Sequence, residues 1–248
     1  MKHILGILIL FLISCQTTDS SLTAETIVDR AIEYSGKSKL NNHSLDFEFR
    51  DYFYESTPTC DGFKLKRFSK TKPIEDVVYK GELTRFIQDS AVALADTTAF
   101  NYFESVNSVH YFTQLPLRLK DNAVNLKKLG TEDIEGKTYH KVEVKFSENG
   151  GGVDFEDVYI YWFDQEDYSM DYLAYSFLVN GGGSRFRKAI NRREVQGVVF
   201  QDYENYKPKQ NTKDVDSLGL FYNQGRLELL STIENKNLTL KEVDLNCN

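Results

Sequence analysis

Three acidic residues follow a run of glycines in the second half of the chain, a combination that can support metal or acid–base chemistry. Asp154, Glu156 and Asp157 come just after residues 150–152, which are all glycine. Carboxylates beside flexible backbone can coordinate a cation or act as general acid and base. Their spacing lacks the alternating ligands and central glycine of an EF-hand loop. The alternative is a hairpin turn with solvated acids, and the sequence favours that interpretation, without a metal site.

Two arginines follow a second glycine triplet and offer anion binding. Arg185 and Arg187 come after residues 181–183, again all glycine, and are two apart on a predicted strand. They therefore point to the same side of a sheet and can bind an anionic head group bidentately. The alternative is cross-strand pairing with the acids at 154–157, which would be structural. Neither glycine run has the spacing of a phosphate-binding loop.

A histidine is the remaining candidate for catalysis. Asn107 and His110 lie three apart on a predicted helix and so face the same way. A histidine there can serve as a general base, but no serine nucleophile elbow and no paired cysteine accompanies it. The structural alternative is a hydrogen-bonded histidine at the sheet surface. We therefore expect a binding protein rather than an enzyme.

The N-terminus predicts a cleaved and lipidated leader. Lys2 precedes an apolar run over 4–13, and Ser14 and Cys15 close it. This is the pattern of a signal peptide, too short for a bilayer core that needs about twenty residues. The ending resembles the lipobox of bacterial lipoproteins, which implies a signal peptide over 1–14, acyl chains such as palmitate on Cys15 and a tether over 15–22. An ordinary secreted protein is the alternative.

Cysteine usage elsewhere is sparse. Besides Cys15 the chain has only Cys60 and Cys247. In an oxidising envelope compartment they can form one disulfide, and the alternative is two free thiols. His and Cys residues show no zinc-ligand spacing, so we expect no metal and no cofactor.

Composition places the chain among folded proteins with an acidic surface. The 248 residues are 41% hydrophobic and 27% charged, with a formal net charge of −7. An acidic balance argues against nucleic acid as a partner, because phosphate neutralisation requires Lys and Arg. The length after the leader suits a single domain over 23–248. We expect the membrane, through the N-terminal lipid, to be one partner.

Periodicity predicts the elements that position these residues. A helix is expected over 23–35 with Gly36 as its C-cap, and a second from Asp96 as N-cap to a point before Pro116. Residues 215–222 suggest a brief third helix, and 227–238 a final strand. The intervening segments read as antiparallel strands. Together they predict an α+β fold: a curved antiparallel sheet or open half-barrel of about nine to eleven strands with an N-terminal helix and one or two inserted helices.

Two predicted strands are apolar on both faces. Residues 158–163, which include Trp162, and 172–177, which begin at Tyr172, lack the polar face usual for an antiparallel strand. Both faces must therefore be covered, by helices, by a ligand, or by both. We take Trp162 and Tyr172, together with Asn107, His110, Arg185 and Arg187, as candidate ligand-binding residues.

The chain resembles an uncharacterised family of Gram-negative envelope lipoproteins. The resemblance rests on residues 107–112, 115–116, 150–157, 161–162, 171–175, 181–187 and 202–208. In element order the chain is more distantly similar to the periplasmic lipoprotein carrier superfamily, a half-barrel whose concave apolar face receives acyl chains. With Gln16 after the cysteine, the lipoprotein resemblance implies the cell envelope, at the outer membrane.

These observations lead to one hypothesis with two alternatives. The first is a membrane-anchored envelope protein that binds an apolar or amphipathic ligand, a lipid or lipidated partner, in its concave face. The second is an envelope hydrolase that uses His110 or the acids near Asp154 and Asp157. The third is a non-catalytic accessory lipoprotein of an outer-membrane complex.

Overall fold

The computed structural model describes residues 22–147, 157–178 and 181–247. The predicted leader, Cys15 and most of the tether lie outside these ranges, as do Asp154 and Glu156. Among the described residues, no helix has the length and hydropathy required to cross a membrane.

The N-terminal helix is α1, Ala24–Ser35, with Gly36 as the predicted C-cap and Thr23, predicted as the first helical residue, as the N-cap. The Thr23 side chain accepts a hydrogen bond from the Thr26 amide, and Gly36 ends the helix in the left-handed conformation with φ +62°. A β-carbon at Gly36 would lie 2.1 Å from the Gly197 carbonyl oxygen, so both the backbone angle and the space require glycine.

Two further helices lie later in the chain, α2 at Asp96–Gln114 and α3 at Leu218–Asn223. The predicted N-cap of α2, Asp96, is wrong by one residue. Ala95 is the N-cap and makes no side-chain capping hydrogen bond, and Asp96 lies in the first turn, where its negative charge interacts favourably with the helix dipole. The helix ends at Gln114 because Pro116 disfavours helical backbone at Leu115, whose ψ is 143°.

Fourteen antiparallel strands form two sheets of seven among the described residues. The first sheet has the order β14-β1-β2-β3-β4-β5-β6 and the second the order β13-β12-β11-β10-β9-β8-β7. The strands are β1 His43–Phe49, β2 Tyr52–Thr59, β3 Gly62–Ser69, β4 Ile74–Tyr79, β5 Glu82–Ile87, β6 Ser90–Val92, β7 Val124–Ile134, β8 Lys137–Phe146, β9 Tyr159–Asp164, β10 Met170–Phe177, β11 Gly183–Val195, β12 Val198–Pro208, β13 Leu227–Ile233 and β14 Lys236–Glu242. The predicted α+β half-barrel is confirmed, with more strands than the nine to eleven expected.

The end of the chain accounts for part of that difference. The single strand predicted over 227–238 is two strands, β13 on the second sheet and β14 on the first. Asn235 lies between them and is buried, and its backbone N–H donates to the Asp202 carboxylate at 3.0 Å. This bond fixes the chain where it changes sheets, which the hydropathy pattern does not reveal.

The second sheet is covered on both faces by the protein itself. Tyr161 and Phe163 on β9 belong to the main core, which α1 and α2 share with both sheets. Ile160 and Trp162 on the same strand belong to a second cluster, closed by residues of α3. The doubly apolar strands therefore reflect two cores on opposite faces.

Cys60 and Cys247 form a disulfide, the first of the two alternatives left open by the sequence. Their Cα atoms are 5.6 Å apart, and the bond joins the β2–β3 turn to the segment after β14 across 187 positions of sequence. Closing so long a loop restricts the unfolded chain strongly.

Replacing both cysteines, Cys60→Ser with Cys247→Ser, is expected to lower the free energy of unfolding by about 2–4 kcal/mol. Urea unfolding monitored by circular dichroism checks this. The wild-type chain in reductant is the matched control and should lose a similar amount. Equal stability of the variant and the oxidised wild type would contradict the expectation.

Candidate functional site

Helix α2 lies between the two sheets and connects an edge strand of each, β6 and β7. Its first half packs on β3, β4 and β5 of the first sheet, where Val106 is fully buried and Phe103 partly so. Phe100, one turn before Phe103, is 38% exposed. The buried residues of α2 are Val106 and four residues of its last turns, His110, Tyr111, Thr113 and Gln114. Helix α2 is thus held mainly by its C-terminal half.

The last turns of α2 place two aromatic rings on the concave face of the second sheet. The Tyr111 hydroxyl lies 3.0 Å from that of Tyr161, and its ring contacts Phe146 and Tyr159. Burial raises the pKa of Tyr161, so its hydroxyl stays protonated. The Phe112 ring lies 5.4 Å from that of Tyr175. The surface beneath this end of α2 is therefore broad and aromatic.

A polar row crosses this otherwise apolar face. Arg187 on β11 lies opposite Asn205 on β12, which in turn lies opposite Ser231 on β13. The Asn205 side-chain amide donates to the Ser231 hydroxyl at 3.2 Å. Because residues opposite one another in adjacent strands point to the same face, the three side chains form one line. We call Arg187, Asn205 and Ser231 the polar row.

Arg187 is buried without an acidic partner among the described residues. Its side chain lies under Phe112, with the guanidinium carbon 3.9 Å from the ring centre, and it donates to the Tyr175 hydroxyl at 3.0 Å. Its Nε and the Oδ1 of Asn205 are both buried without a hydrogen-bond partner. Of the three acids considered from sequence as cross-strand partners, Asp154 and Glu156 lie outside the described ranges, so the predicted ion pair remains a prediction.

Arg185 has a different environment on the same strand. It is half-buried, donates to the Ser184 carbonyl at 2.8 Å and stacks over Phe177. The structure thus places both arginines on one side, as predicted, but buries only Arg187.

His110 is enclosed rather than exposed to a cleft. Its Nε2 donates to the Lys66 carbonyl at 3.0 Å, and the rings of Phe47 and Tyr54 pack edge-on against it. Asn107 is half-buried one turn earlier. Burial, ahead of the nearby positive charges of Arg118 and Arg67, lowers the pKa of His110 to about 3.

This pKa predicts acid sensitivity. The unfolded chain binds a proton at His110 below about pH 6.5 and the folded chain does not, so the free energy of unfolding should fall by about 1.4 kcal/mol per pH unit below that point. That contribution is complete above pH 6.5 and decreases down to about pH 3. Urea unfolding between pH 5 and 7 should show a shallower dependence of the unfolding free energy on pH for His110→Gln than for the wild-type chain. Equal slopes for wild type and His110→Gln would contradict the assignment.

Trp162 and Tyr172 lie on the opposite face of the second sheet. The Trp162 indole donates to Glu132 at 3.0 Å, and the Tyr172 hydroxyl donates to Glu135 at 2.8 Å beneath α3. Burial raises the pKa of Tyr172. The residues chosen from sequence as ligand-binding are therefore divided among three places. Trp162 and Tyr172 lie on the outer face of the second sheet, Arg185 and Arg187 lie on its inner face, and His110 packs against the first sheet.

The acidic segment contributes one described residue. Asp157 is buried just before β9. Among the described residues, no group of three or more His, Cys, Asp or Glu side chains is placed to hold a metal ion.

Sequence reasoning missed two buried charges that fasten α2. Lys37 is buried, donates to the Thr113 carbonyl at 2.8 Å and lies 3.6 Å from the centre of the Phe200 ring. Burial lowers its pKa well below the usual value. Arg67 donates to Ser105 of α2 at 2.7 Å while paired with Asp76. For Arg67, the signal in the sequence was the series Arg67, Asp76 and Arg85 on the successive strands β3, β4 and β5. Only the strand register shows that these three side chains lie side by side.

Two cavities lie near the ends of α2 and α3. A cavity of about 20 Å³ lies at the C-terminal end of α2, beside Ala31, Lys37, Phe112 and Tyr203, enough for one or two water molecules. A larger open cleft of about 300 Å³ lies near the end of α3, lined by Lys209, Phe221 and Arg226. An apolar chain on the concave face would therefore have to displace α2 side chains.

Comparison with known proteins identifies one matching family model and several solved structures of similar fold. The model of a family of unknown function, DUF6503, matches residues 2–235. No curated protein matches the chain. A LolA superfamily protein from Nitrosomonas europaea is similar with a TM-score of 0.50 at 10% identity, covering 90% of this chain and 96% of its own. A DUF1329 protein from Desulfovibrio piger gives 0.50 at 9% identity, over 91% and 95%. Both resemblances expected from sequence, to an uncharacterised family and to the carrier-like fold, are confirmed.

Proposed function

The chain belongs to the DUF6503 family of unknown function, and from that premise we propose that it is a lipid-anchored envelope protein that binds an acyl chain on the concave face of its second sheet. Helix α2 covers the site in the closed state and moves aside on binding. The bound molecule is a lipid or the acyl part of a lipidated partner.

One observation carries the proposal: an aromatic concave surface is closed by a helix that is held mainly at one end. Tyr111 and Phe112 lie on Tyr159 and Tyr175 where an acyl chain would lie. The first turns of α2 contribute little burial, with Phe100 still exposed. Those first turns can therefore open at low cost in free energy, whereas displacement of the last turns, which carry Tyr111 and Phe112, has to be driven by ligand binding.

The free energies of burial favour replacement of the Tyr111 and Phe112 rings by an acyl chain. Burying about fourteen methylenes contributes about 11 kcal/mol, whereas exposing two aromatic side chains forgoes about 1.5–3 kcal/mol each. The surplus is available to offset loss of the Lys37 and Arg67 contacts to α2 and the ordering of the ligand. A short ligand would not supply it, so we expect a preference for long chains.

Photo-crosslinking in cells tests the proposal on the full chain. A benzophenone amino acid at Phe112 faces the concave surface, and the same residue at Phe221, in the outer cluster, is the matched control. After irradiation, mass spectrometry should find lipid adducts on the peptide containing position 112 and none at 221. Absence of adducts at 112, or equal adducts at both positions, would overturn the binding site.

The anchor is tested separately. Radiolabelled palmitate should be incorporated into the wild-type chain in cells and not into Cys15→Ser. Cys60 and Cys247 are bridged, so they do not compete for the label. Failure of the wild-type chain to take up palmitate would contradict lipid anchoring but not the ligand site.

A further inference from the structure

The polar row beneath α2 has unmatched hydrogen-bonding capacity in the middle of an apolar surface. Arg187 and Asn205 are each 8% exposed. The guanidinium has its Nε without a partner, and the facing amide has its Oδ1 without one. Buried polar groups are nearly always paired, and each exception requires an explanation.

Burial of an unpaired cation is costly. Removing a guanidinium from water costs several kcal/mol unless an opposite charge or full hydrogen bonding compensates. Here the compensation within the described residues is the Tyr175 hydroxyl and stacking on Phe112 and Tyr175. Such contacts contribute about 1–2 kcal/mol each. Arg187 therefore retains unused affinity for an anion.

The location of Arg187 favours binding of a head group over a purely structural role. The side chain that covers the guanidinium is Phe112, which belongs to the helix proposed to move. When Phe112 leaves, the guanidinium faces the space that the ligand enters. Rotation of the Asn205 amide would then turn its NH₂ toward the same anion, and the Ser231 hydroxyl extends the row.

We propose that the polar row binds the anionic head group, a carboxylate or a phosphate, of the amphiphile whose apolar chain lies on the neighbouring aromatic face. This inference rests on the proposed function and specifies its ligand: an anionic single-chain or phosphate-bearing lipid rather than an uncharged one. The guanidinium forms charge-assisted hydrogen bonds to two oxygens of the head group, which gives the ligand a fixed direction along β11 and β12.

Photoreactive probes test the inference on the full chain held in phosphatidylcholine nanodiscs. Three probes carry the same diazirine-bearing alkyl chain and end in a carboxylate, a phosphate or an uncharged hydroxyl. Labelling is measured on peptides containing β9 and β10. We expect the charged probes to label the wild-type chain about tenfold or more above the alcohol at equal concentration, the range expected for charge-assisted hydrogen bonds. A preference between carboxylate and phosphate identifies the head group.

Substitutions identify the residue responsible. Arg187→Gln should reduce labelling by the charged probes to the level of the alcohol while leaving the alcohol unchanged, and Arg187→Lys should retain part of the preference. Arg185→Gln, on the same strand and face, should behave as wild type. Unchanged alcohol labelling also shows that the variants are folded.

The outcomes separate the two proposals. Equal labelling by all three probes, or a charge preference that survives Arg187→Gln, would overturn the head-group site and leave acyl binding intact. Absence of labelling by every probe would overturn both.

Discussion

Asp76→Asn is expected to lower the free energy of unfolding by about 3–5 kcal/mol. The Asp76 carboxylate accepts from Arg67 on β3 and from Arg85 on β5, and Arg67 and Asp76 are almost fully buried. The neutral amide would leave two guanidinium groups without their counter-charge in a desolvated position. Chemical unfolding of the variant and the wild type measures the difference.

An exposed ion pair provides the control. Asp61 and Lys80 lie 2.7 Å apart, with more than half of each side chain exposed, and such pairs contribute about 0–1 kcal/mol. Asp61→Asn should therefore be close to neutral. Because Arg67 also donates to Ser105 of α2, Asp76→Asn should in addition increase proteolysis within α2. A loss below about 1 kcal/mol would show that the buried network contributes no more than a surface pair.

Trp162→Ala is expected to cost about 3–5 kcal/mol of unfolding free energy. Trp162 is fully buried between the second sheet and α3, packs edge-on against Phe186 with the ring centres 5.6 Å apart, and donates to Glu132. Its removal leaves a cavity that rigid strands on both sides cannot close. Circular dichroism in urea is the appropriate measurement, since this is the single tryptophan of the chain.

Leu229→Ala is the matched control for this substitution. Leu229 is 55% exposed on β13, so its truncation should change stability by less than about 0.5 kcal/mol. If Trp162→Ala were equally mild, the outer cluster would not be a true core and α3 would be loosely attached. Lipid adducts at position 112 should persist in the folded variant, because Trp162 lies on the opposite face.

Local patterns were sufficient for the helices and for the type of sheet. Thr23 and Gly36 bracket α1 as capping chemistry requires, and Pro116 ends α2. The Glu135-Gly136 and Gln196-Gly197 turns, with positive φ at each residue, define two hairpins. These features depend on neighbours in sequence, which is why they can be predicted from sequence alone.

The site depends on register and therefore could not be predicted. The alternation of β11 puts Arg185 and Arg187 on one side, but only the pairing with β12 brings Asn205 opposite Arg187. Apolar faces on β9 and β10 suggested a ligand near Trp162 and Tyr172, whereas α3 covers that face. Hydropathy shows that a face is covered and cannot show by which segment.

Hydrogen–deuterium exchange of the full chain with and without hexadecanoate tests the central claim, that an acyl chain takes the place of α2, most directly. We predict that ligand increases exchange of amides in residues 106–114 by at least tenfold, about 1.4 kcal/mol of lost protection, while amides of β9 and β10 become more protected. Ligand-bound protein in which residues 106–114 remain as protected as in the free chain would contradict the account.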